Sequence, residues 1–481
     1  MSMTLEPAAA LPPTEPISSA APSAKLMWAI LGIVLVADLL DLLDSTITTI
    51  AAPSIVADLG GGPSLVKWLG AAYALAMGTL LVVGGRLGDK YGQRRVFLIG
   101  MAGFTLASAA CGLAPNPATI IVARILQGGF GAMLIPQGMA IMTKSFTRDM
   151  LGKAFGAFGP MLGLCSIGGP VLAGFIIDAN IAGLGWRPVF LINIILGSVG
   201  LVAAIRLLPR VEADPTTRID PTGSVLLGAA MFSLLYGLIQ GSSDGWTVAP
   251  IALLGAAAIF FAGFCRRQST ATHPLIKPSL LANKGFTSGL IVGFAFFAAL
   301  SGLIYVISLF LQTGLHYSPS HASLALLPLM VGLILAAGAC MGLIAKLGRI
   351  LVLVGLFLTL VGAGLLFAVV ATVGLQATWW QLAGAIFMIG MGMGACIGTI
   401  FDIALGGVDP DEAGGASGSL SAVQQIAAGV GSAAVTSVYF STLHVGQIHA
   451  MTVSLIVVIA ITALCLVAFP LLPRVAAPQE H

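Results

Sequence analysis

The sequence predicts an all-α polytopic membrane protein with fourteen transmembrane helices. Three observations carry this. Fourteen apolar stretches, each about the 20 residues that a bilayer crossing needs, fill most of the chain. Only 8% of the 481 residues are charged and 58% are hydrophobic, whereas a soluble domain carries about 25% charge. Finally, the basic residues are sorted to one side of the spans. The spans fall at about 27–49, 66–85, 95–114, 118–142, 152–177, 188–208, 222–241, 248–264, 285–311, 321–343, 350–371, 379–404, 415–441 and 450–472. Of the 21 Lys and Arg residues, only Lys67 and Arg187 fall on the side away from the N-terminus, and only Arg124 falls within a span. Positive residues stay in the cytoplasm, so both termini are expected there and the span count is even.

Composition also excludes several classes. The net charge of +3, with no basic block, gives no reason to expect nucleic acid as a partner. The six cysteines show no metal-ligand spacing and are expected to be free, buried thiols; the histidines are scattered, so no metal site is expected. No G-x-x-x-x-G-K-(S/T) loop occurs, so ATP is not the energy source. An enzyme would need a cluster of catalytic groups or a sizeable soluble domain, and neither is visible. The partners expected are a lipid bilayer, a small molecule and protons, with no cofactor, and the simplest assembly is a monomer.

In chain order, residues 1–26 read as a disordered cytoplasmic tail, rich in Pro, Ala and Ser and lacking the basic start of a signal peptide. The first span holds Asp38, Asp41 and Asp44. At 100° per residue these spread over about 120° of one helix face and rise about 9 Å. A carboxylate in hydrocarbon is expensive and normally functional, so this face is expected to point into an enclosed polar cavity. Three close carboxylates cannot all ionise cheaply, and at least one is expected to exchange a proton. The second span ends in Gly85-Arg86-Leu87-Gly88-Asp89-Lys90-Tyr91-Gly92-Gln93-Arg94-Arg95. Its glycines allow a tight turn, Asp89 can pair with a nearby Arg, and Arg94 and Arg95 suit the lipid headgroups. In the fourth span Arg124 either snorkels to the surface or serves a carboxylate, Asp44 or Asp41.

The fifth span holds Gly156, Gly169, Pro170 and Gly174, and its proline is expected to bend it. The ninth holds Tyr305, and the thirteenth holds Gln424 and Gln425, which either line a cavity or bridge helices. Tyr73, Trp68, Phe310 and Phe401 are candidate aromatic wall residues. Trp246, Trp379 and Trp380, at span ends, read as interface anchors.

An internal repeat organises the spans. Asp149-x-x-Gly152-x-Ala154-x-Gly156 recurs as Asp411-x-x-Gly414-x-Ala416-x-Gly418, each leading into the fifth span of a set of six. This divides the chain into an N-terminal six-helix bundle (27–208), a two-helix insertion with its linkers (209–283), a C-terminal six-helix bundle (284–472) and a C-terminal tail (473–481). Paired halves around a midplane site are common in secondary transporters.

Several of these motifs resemble those of one family. The Gly85–Arg95 stretch is similar to the loop after the second helix of the major facilitator superfamily. Arg124-x-x-Gln127-Gly128 resembles its fourth-helix R-x-x-Q-G motif. Gly156 with Gly169-Pro170-x-x-Ala173-Gly174 is similar to its fifth-helix antiporter motif, departing at Cys165 and Ala173. Leu43-Asp44-Ser45-Thr46-Ile47 resembles the L-D-x-T-I signature of the 14-helix drug:proton antiporter branch, and Trp186-Arg187-x-x-Phe190-x-Ile192-Asn193 and Asp220-x-x-Gly223 fit that branch. The resemblance implies a major facilitator fold in a bacterial inner or cell membrane. It implies a proton-coupled antiporter that exports lipophilic drugs, expected to be cationic, by alternating access, driven by the proton gradient. It assigns proton coupling and cargo to Asp44 and Arg124, a latch between halves to Gly85, Asp89, Gly92, Arg94 and Arg95, and a leak-preventing kink to Gly156, Gly169, Pro170 and Gly174. Asp38 and Asp41 lie outside the signature. Gln127, Tyr305, Gln424 and Gln425 are cavity candidates. A dedicated exporter of one metabolite or antibiotic on the same fold is the alternative.

Overall fold

The computed structural model describes residues 24–146, 168–209, 220–272, 274–341, 343–409 and 412–473. Among them, thirteen helices are long and apolar enough to cross a membrane, with a shorter apolar helix at Gly168–Ala179. In order these are α1 (Ala24–Leu59), α2 (Gly62–Tyr91), α3 (Gln93–Gly112), α4 (Pro117–Ser145), α5 (Gly168–Ala179), α6 (Pro188–Leu207) and α7 (Pro221–Asp244). There follow α8 (Val248–Thr270), α9 (Lys284–Leu309), α10 (Pro319–Met341), α11 (Arg349–Val373), α12 (Trp379–Leu405), α13 (Ala413–Thr442) and α14 (Gln447–Ala468). No strand occurs among the described residues. Gly156, Cys165, the Asp149–Gly156 copy of the repeat, Asp411 and most of both expected tails lie outside the described residues.

The helix boundaries follow from local chemistry. α1 runs ten residues past the expected end, through Pro53, until Gly60, Gly61 and Gly62 take positive φ (76°, 83° and 54°) and reverse the chain. Asn116, Ser318 and Thr378 precede α4, α10 and α12, and the first two accept from Thr119 N–H (2.9 Å) and His321 N–H (3.3 Å). These bonds satisfy amides that a helix start leaves orphaned. The chain alternates between a proximal face, where α1 begins, and a distal face, where it ends.

Glycine sets the closest contacts. A Cβ on Gly128 would sit 2.3 Å from the Tyr73 carbonyl oxygen, and one on Gly84 would sit 2.2 Å from that of Ala132. The α2 and α4 backbones therefore touch, and a larger residue at either site would cost about 1–3 kcal/mol or more in overpacking. The same closeness joins α2 to α13, where a Cβ on Gly78 would meet the Ile426 amide nitrogen at 2.8 Å.

The α7–α8 pair packs on α2 and α13 through α7. Trp68 of α2 lies 6.1 Å from the Phe232 ring and 6.0 Å from that of Tyr236, so it docks the insertion. Only one side of α8 packs, through Pro250, Ala257, Phe264 and Gln268. This corrects the expectation of uniformly buried thiols: Cys265, on the outer side of α8, is exposed, while Cys111, Cys340, Cys396 and Cys465 are buried. Lys67 also departs from expectation. Because α2 begins at Gly62, Lys67 lies inside the helix and is buried, with its ammonium 5.7 Å from the Phe440 ring. Trp246, Trp379 and Trp380 are exposed at helix ends, as expected of anchors.

On the proximal face, Asp220 caps α7 through Gly223 N–H (3.2 Å) and pairs with Arg267 of α8 at 3.1 Å. Burial pushes its carboxyl up, but the Arg267 guanidinium and the Gly223 amide outweigh this and hold it below the usual carboxylate value. The short helix Pro278–Ala282 is tied to the start of α13, where Glu412 accepts from Ser279 (2.8 Å) and pairs with Lys277 (3.2 Å).

Candidate functional site

Polar side chains buried among α1, α2, α4 and α6 form one connected cluster. Asp44 of α1 and Arg124 of α4 form an ion pair, both essentially without exposure. Gln127, one turn after Arg124, accepts from the guanidinium at 2.9 Å and donates its amide to Asp44 Oδ1 at 2.7 Å. Asn193 of α6 donates to the same oxygen at 3.4 Å and to Ser108 Oγ of α3 at 2.9 Å. The Arg124 guanidinium carbon lies 4.4 Å from the centre of the Tyr73 ring, and the Tyr73 hydroxyl donates to Asp41. Thus Arg124 does not snorkel. The spacing R-x-x-Q puts both side chains on one face of α4, and Gly128 brings that face against α2.

The ion pair is held by charge-assisted hydrogen bonds in a low-dielectric interior, and removing one partner of such a pair typically costs about 3–5 kcal/mol. Two atoms in the cluster have no partner among the described residues, Arg124 Nε and Asn193 Oδ1. Such groups each cost about 1–3 kcal/mol, and here they leave bonding capacity for a second arrangement of the cluster.

A cavity of about 220 Å³ lies on the other side of α1. Ser45, Thr46 and Thr49 of α1 line it, facing Tyr305 of α9 and Gln424 and Gln425 of α13. Pro170 of α5 closes one side; a Cβ on its neighbour Gly169 would sit 2.3 Å from Thr46 Oγ1. None of the three aspartates lines this cavity. This corrects the expectation that their face opens onto it: Asp41 and Asp44 are turned into the N-terminal helices, where partners await them, and Asp38, one turn earlier, is half-buried. Gln127 likewise sits in the cluster and not in the cavity, because Asp44 and Arg124 engage both ends of its amide. Tyr305, Gln424 and Gln425 are lining residues; Gln425 also reaches Met77 Sδ of α2 at 2.9 Å and so bridges helices. Of the aromatic wall candidates, Tyr73 belongs to the cluster, Trp68 to the insertion, Phe310 is buried, and Phe401 packs edge-on against cavity-lining Phe297 at 6.3 Å.

The distal end of the cavity is sealed by contacts between the two halves of the chain. Ser308 donates to the Thr49 carbonyl (3.0 Å), Gln312 to that of Ile50 (3.2 Å) and Tyr305 to that of Val66 (3.2 Å). Asp178, just before the end of α5, accepts from the Ser320 amide at 3.0 Å. A Cβ on Gly174 would lie 2.6 Å from the Pro319 carbonyl oxygen. A side chain larger than hydrogen at Gly174 would thus collide with the start of α10.

The Gly85–Arg95 stretch joins α2 and α3 through Gly92, whose φ of 92° permits the sharp turn. Gln137 of α4 donates to the Gly84 carbonyl at 2.7 Å, and a Cβ on Gly88 would lie 1.7 Å from Gln137 Oε1. A Cβ on Gly85 would meet Pro136 at an ordinary 3.6 Å. Arg94 donates to the Ile205 carbonyl of α6 at 2.6 Å, while Arg95 is exposed. Asp89 is exposed and accepts weakly from Gln93 at 3.5 Å; no ion pair reaches it among the described residues. The expected Asp89–Arg pairing is therefore not seen. An exposed carboxylate at a helix end is satisfied by solvent.

Sequence reasoning missed three contributors. Asn193 and Ser108 complete the cluster, and the cue was an amide inside a span. Asp58 lay beyond the expected end of the first span; it accepts from Trp186 Nε1 (3.0 Å) and Arg187 (2.5 Å), tying the distal ends of α1 and α6.

Comparison with known proteins agrees with this architecture. A model of the Major Facilitator Superfamily matches residues 34–432. The chain is 41% identical over 454 residues to the probable actinorhodin transporter of Streptomyces coelicolor, covering 92% of this chain and 78% of that protein. It is 31% identical over 444 residues to a puromycin resistance protein of Streptomyces alboniger, covering 91% and 86%. A solved structure of a POT family transporter in complex with a thioalcohol conjugated peptide aligns with a TM-score of 0.67 at 13% identity, over 92% of this chain and 96% of that one, a likeness of fold alone. With the family match running from α1 into α13, through both halves and the insertion, the chain belongs to the major facilitator superfamily and is a multi-pass membrane transporter, not an enzyme.

Proposed function

We propose that the chain is a proton-coupled antiporter that exports antibiotic-like small molecules across a bacterial cytoplasmic membrane, with both termini inside. The observation that carries this reading is the buried Asp44–Arg124 pair, set one helix width from the central cavity on the opposite side of α1. A proton on Asp44 would remove the charge that Arg124 neutralises. The guanidinium would then turn to other acceptors, its free Nε among the donors available, and α1 would lose its strongest tie to α4. Because α1 also walls the cavity and forms part of the distal seal, a change at Asp44 would bias opening on that side. Protonation and cargo would act on one rigid helix from its two sides, which is the differential coupling that an exchange cycle requires.

The reading as an exporter is supported by the names of the relatives, a probable actinorhodin transporter and a puromycin resistance protein. The 41% identity to a probable actinorhodin transporter favours a second reading, a dedicated exporter of one such compound. A lipophilic cation was expected from the family resemblance and from carboxylates expected in the cavity, and among the described residues no carboxylate lines it. Transport in everted vesicles with an internal acid load tests the coupling. Cargo addition should release protons in the wild type and not in Asp44→Asn. Undiminished cargo-driven proton flux in that variant would reject the assignment.

A further inference from the structure

We propose that Asp41 is a second seat for Arg124: the guanidinium alternates between Asp44 and Asp41, and the carboxyl that it leaves holds a proton. This rests on the proton-coupling reading above, and it gives a role to an aspartate outside the family signature. Asp41 precedes Asp44 by one turn of α1, about 4.5 Å nearer the proximal end and about 60° around the helix. Both side chains are buried. Tyr73 links the two seats, because its ring centre lies 4.4 Å from the guanidinium carbon while its hydroxyl donates to Asp41. Arg124 bonds Asp44 and Gln127 through Nη1, and its Nε has no partner among the described residues. An enclosed cation therefore keeps a donor in reserve within a turn of another carboxyl group. The charged and titratable groups set around Asp41 are Tyr73 of α2, Arg124 of α4 and, on α1 itself, Asp38 and Asp44; α6 brings the neutral Asn193 to Asp44.

Charge balance fixes where the proton sits. One guanidinium cannot neutralise two buried carboxylates, and the one left over would be a desolvated charge with no counter-ion. With Arg124 on Asp44, as in this structure, the proton belongs to Asp41. A second proton arriving at Asp44 forms an O–H bond there as Arg124 leaves. Arg124 then settles on Asp41, whose O–H bond breaks. That proton departs toward half-buried Asp38, one turn nearer the proximal end. One proton enters and one leaves, so the cluster carries the same net charge before and after. In the return step the proton on Asp44 passes to Asp41 and Arg124 goes back to Asp44. The guanidinium keeps the face of Tyr73 beneath it throughout, which preserves an attraction that a bare crossing would forfeit. The tie between α1 and α4 is thereby remade one turn nearer the proximal face, and that is how the proton would shift α1.

Infrared spectroscopy of the purified full-length protein at neutral pH, with neither cargo nor a pH gradient, tests this through the C=O stretch of protonated carboxyl groups. Asp41→Asn keeps an acceptor for the Tyr73 hydroxyl and should remove a band from the wild-type spectrum. Asp44→Asn still contains Asp41, yet it should lose the same band, because Arg124 then moves to Asp41 and holds it ionised. An Asp41 with a purely structural role would keep its band in that variant. Should Asp41→Asn fail to fold, Asp41→Glu retains the acid and should shift the band in place of removing it. Persistence of the Asp41 band in Asp44→Asn would overturn the proposal, and so would a protonated-carboxyl region that neither Asp41 substitution alters. The vesicle assay separates this from the reading on which it rests. Proton release that survives Asp44→Asn rejects the coupling, whereas an Asp41 band that survives Asp44→Asn rejects only the second seat.

Discussion

Replacing Arg124 by Met should destabilise the protein more than replacing both Arg124 and Asp44. In the wild type the Asp44 carboxylate is buried and receives Arg124, Gln127 and Asn193. Arg124→Met removes the charge partner and leaves the carboxylate with two neutral amide donors, one of them at a long 3.4 Å. An uncompensated buried charge of this kind costs about 3–5 kcal/mol. Asp44→Asn strands the guanidinium, but Gln127 can still bond the remaining carbonyl oxygen, so its cost should fall at or below the lower end of that range. In Asp44→Asn/Arg124→Met neither charge remains and the loss is mainly of neutral hydrogen bonds, at about 1 kcal/mol each. The double-mutant cycle should therefore close with a favourable coupling of about 2–3 kcal/mol, near the upper end for residues in contact. Reversible denaturant unfolding in a fixed detergent, followed by intrinsic fluorescence, would measure it. Single-variant losses that simply add in the double variant would show that the two side chains do not meet as a buried pair, and the coupling scheme would lose its centre.

Other expectations follow from separate contacts. Gly174→Leu should hold α5 away from the Pro319–Ser320 backbone and disfavour distal closure, so that a cysteine introduced at Thr49 labels at least several-fold faster from the distal side; an unchanged labelling rate would show that closure does not need this contact. Gly88→Ala would push Gln137 off the Gly84 carbonyl and should cost about 1–3 kcal/mol, with Gln137→Ala in the same chain recovering part of the loss in thermal unfolding. If the second change adds to the first, the clash is elsewhere. Asp220 supplies a pH test. Its carboxyl lies below the ordinary value of 3.8 in the folded protein, so the stability it adds is present above that value and is lost as pH falls through its lower folded value. Asp220→Asn should thus be less stable than wild type near neutrality, and the gap should narrow in strong acid. A gap that widens on acidification would contradict the Arg267 pairing.

Thirteen of the spans, their order and a carboxylate partner for Arg124 on the first span, Asp44 or Asp41, were legible in the sequence, because an isolated charge in an apolar stretch has few ways to be satisfied. The direction in which α1 faces was not. Its three aspartates span an arc wide enough to address either the neighbouring helices or the cavity, and a helix that is apolar on every side gives no amphipathic signal to choose between them. The same lack of contrast hid Cys265, since lipid and protein interior look alike to an apolar residue. Lys67 was misplaced because span ends were set by hydropathy, while the glycine turn at Gly60–Gly62 that starts α2 is set by backbone conformation. Asn193 and Ser108 could have been nominated as buried amide and hydroxyl within spans, but only the fold brings them to Asp44.

The distal seal has a consequence for how such a carrier changes over generations. Ser308 and Gln312 hold α1 by the carbonyl oxygens of Thr49 and Ile50 and do not touch the side chains of those two residues through these bonds. Every amino acid offers the same carbonyl. Exchange of the Thr49 side chain, which lines the cavity, would therefore leave these bonds in place as the transported compound changes, whereas Ile50, fully buried, is also held by its packing.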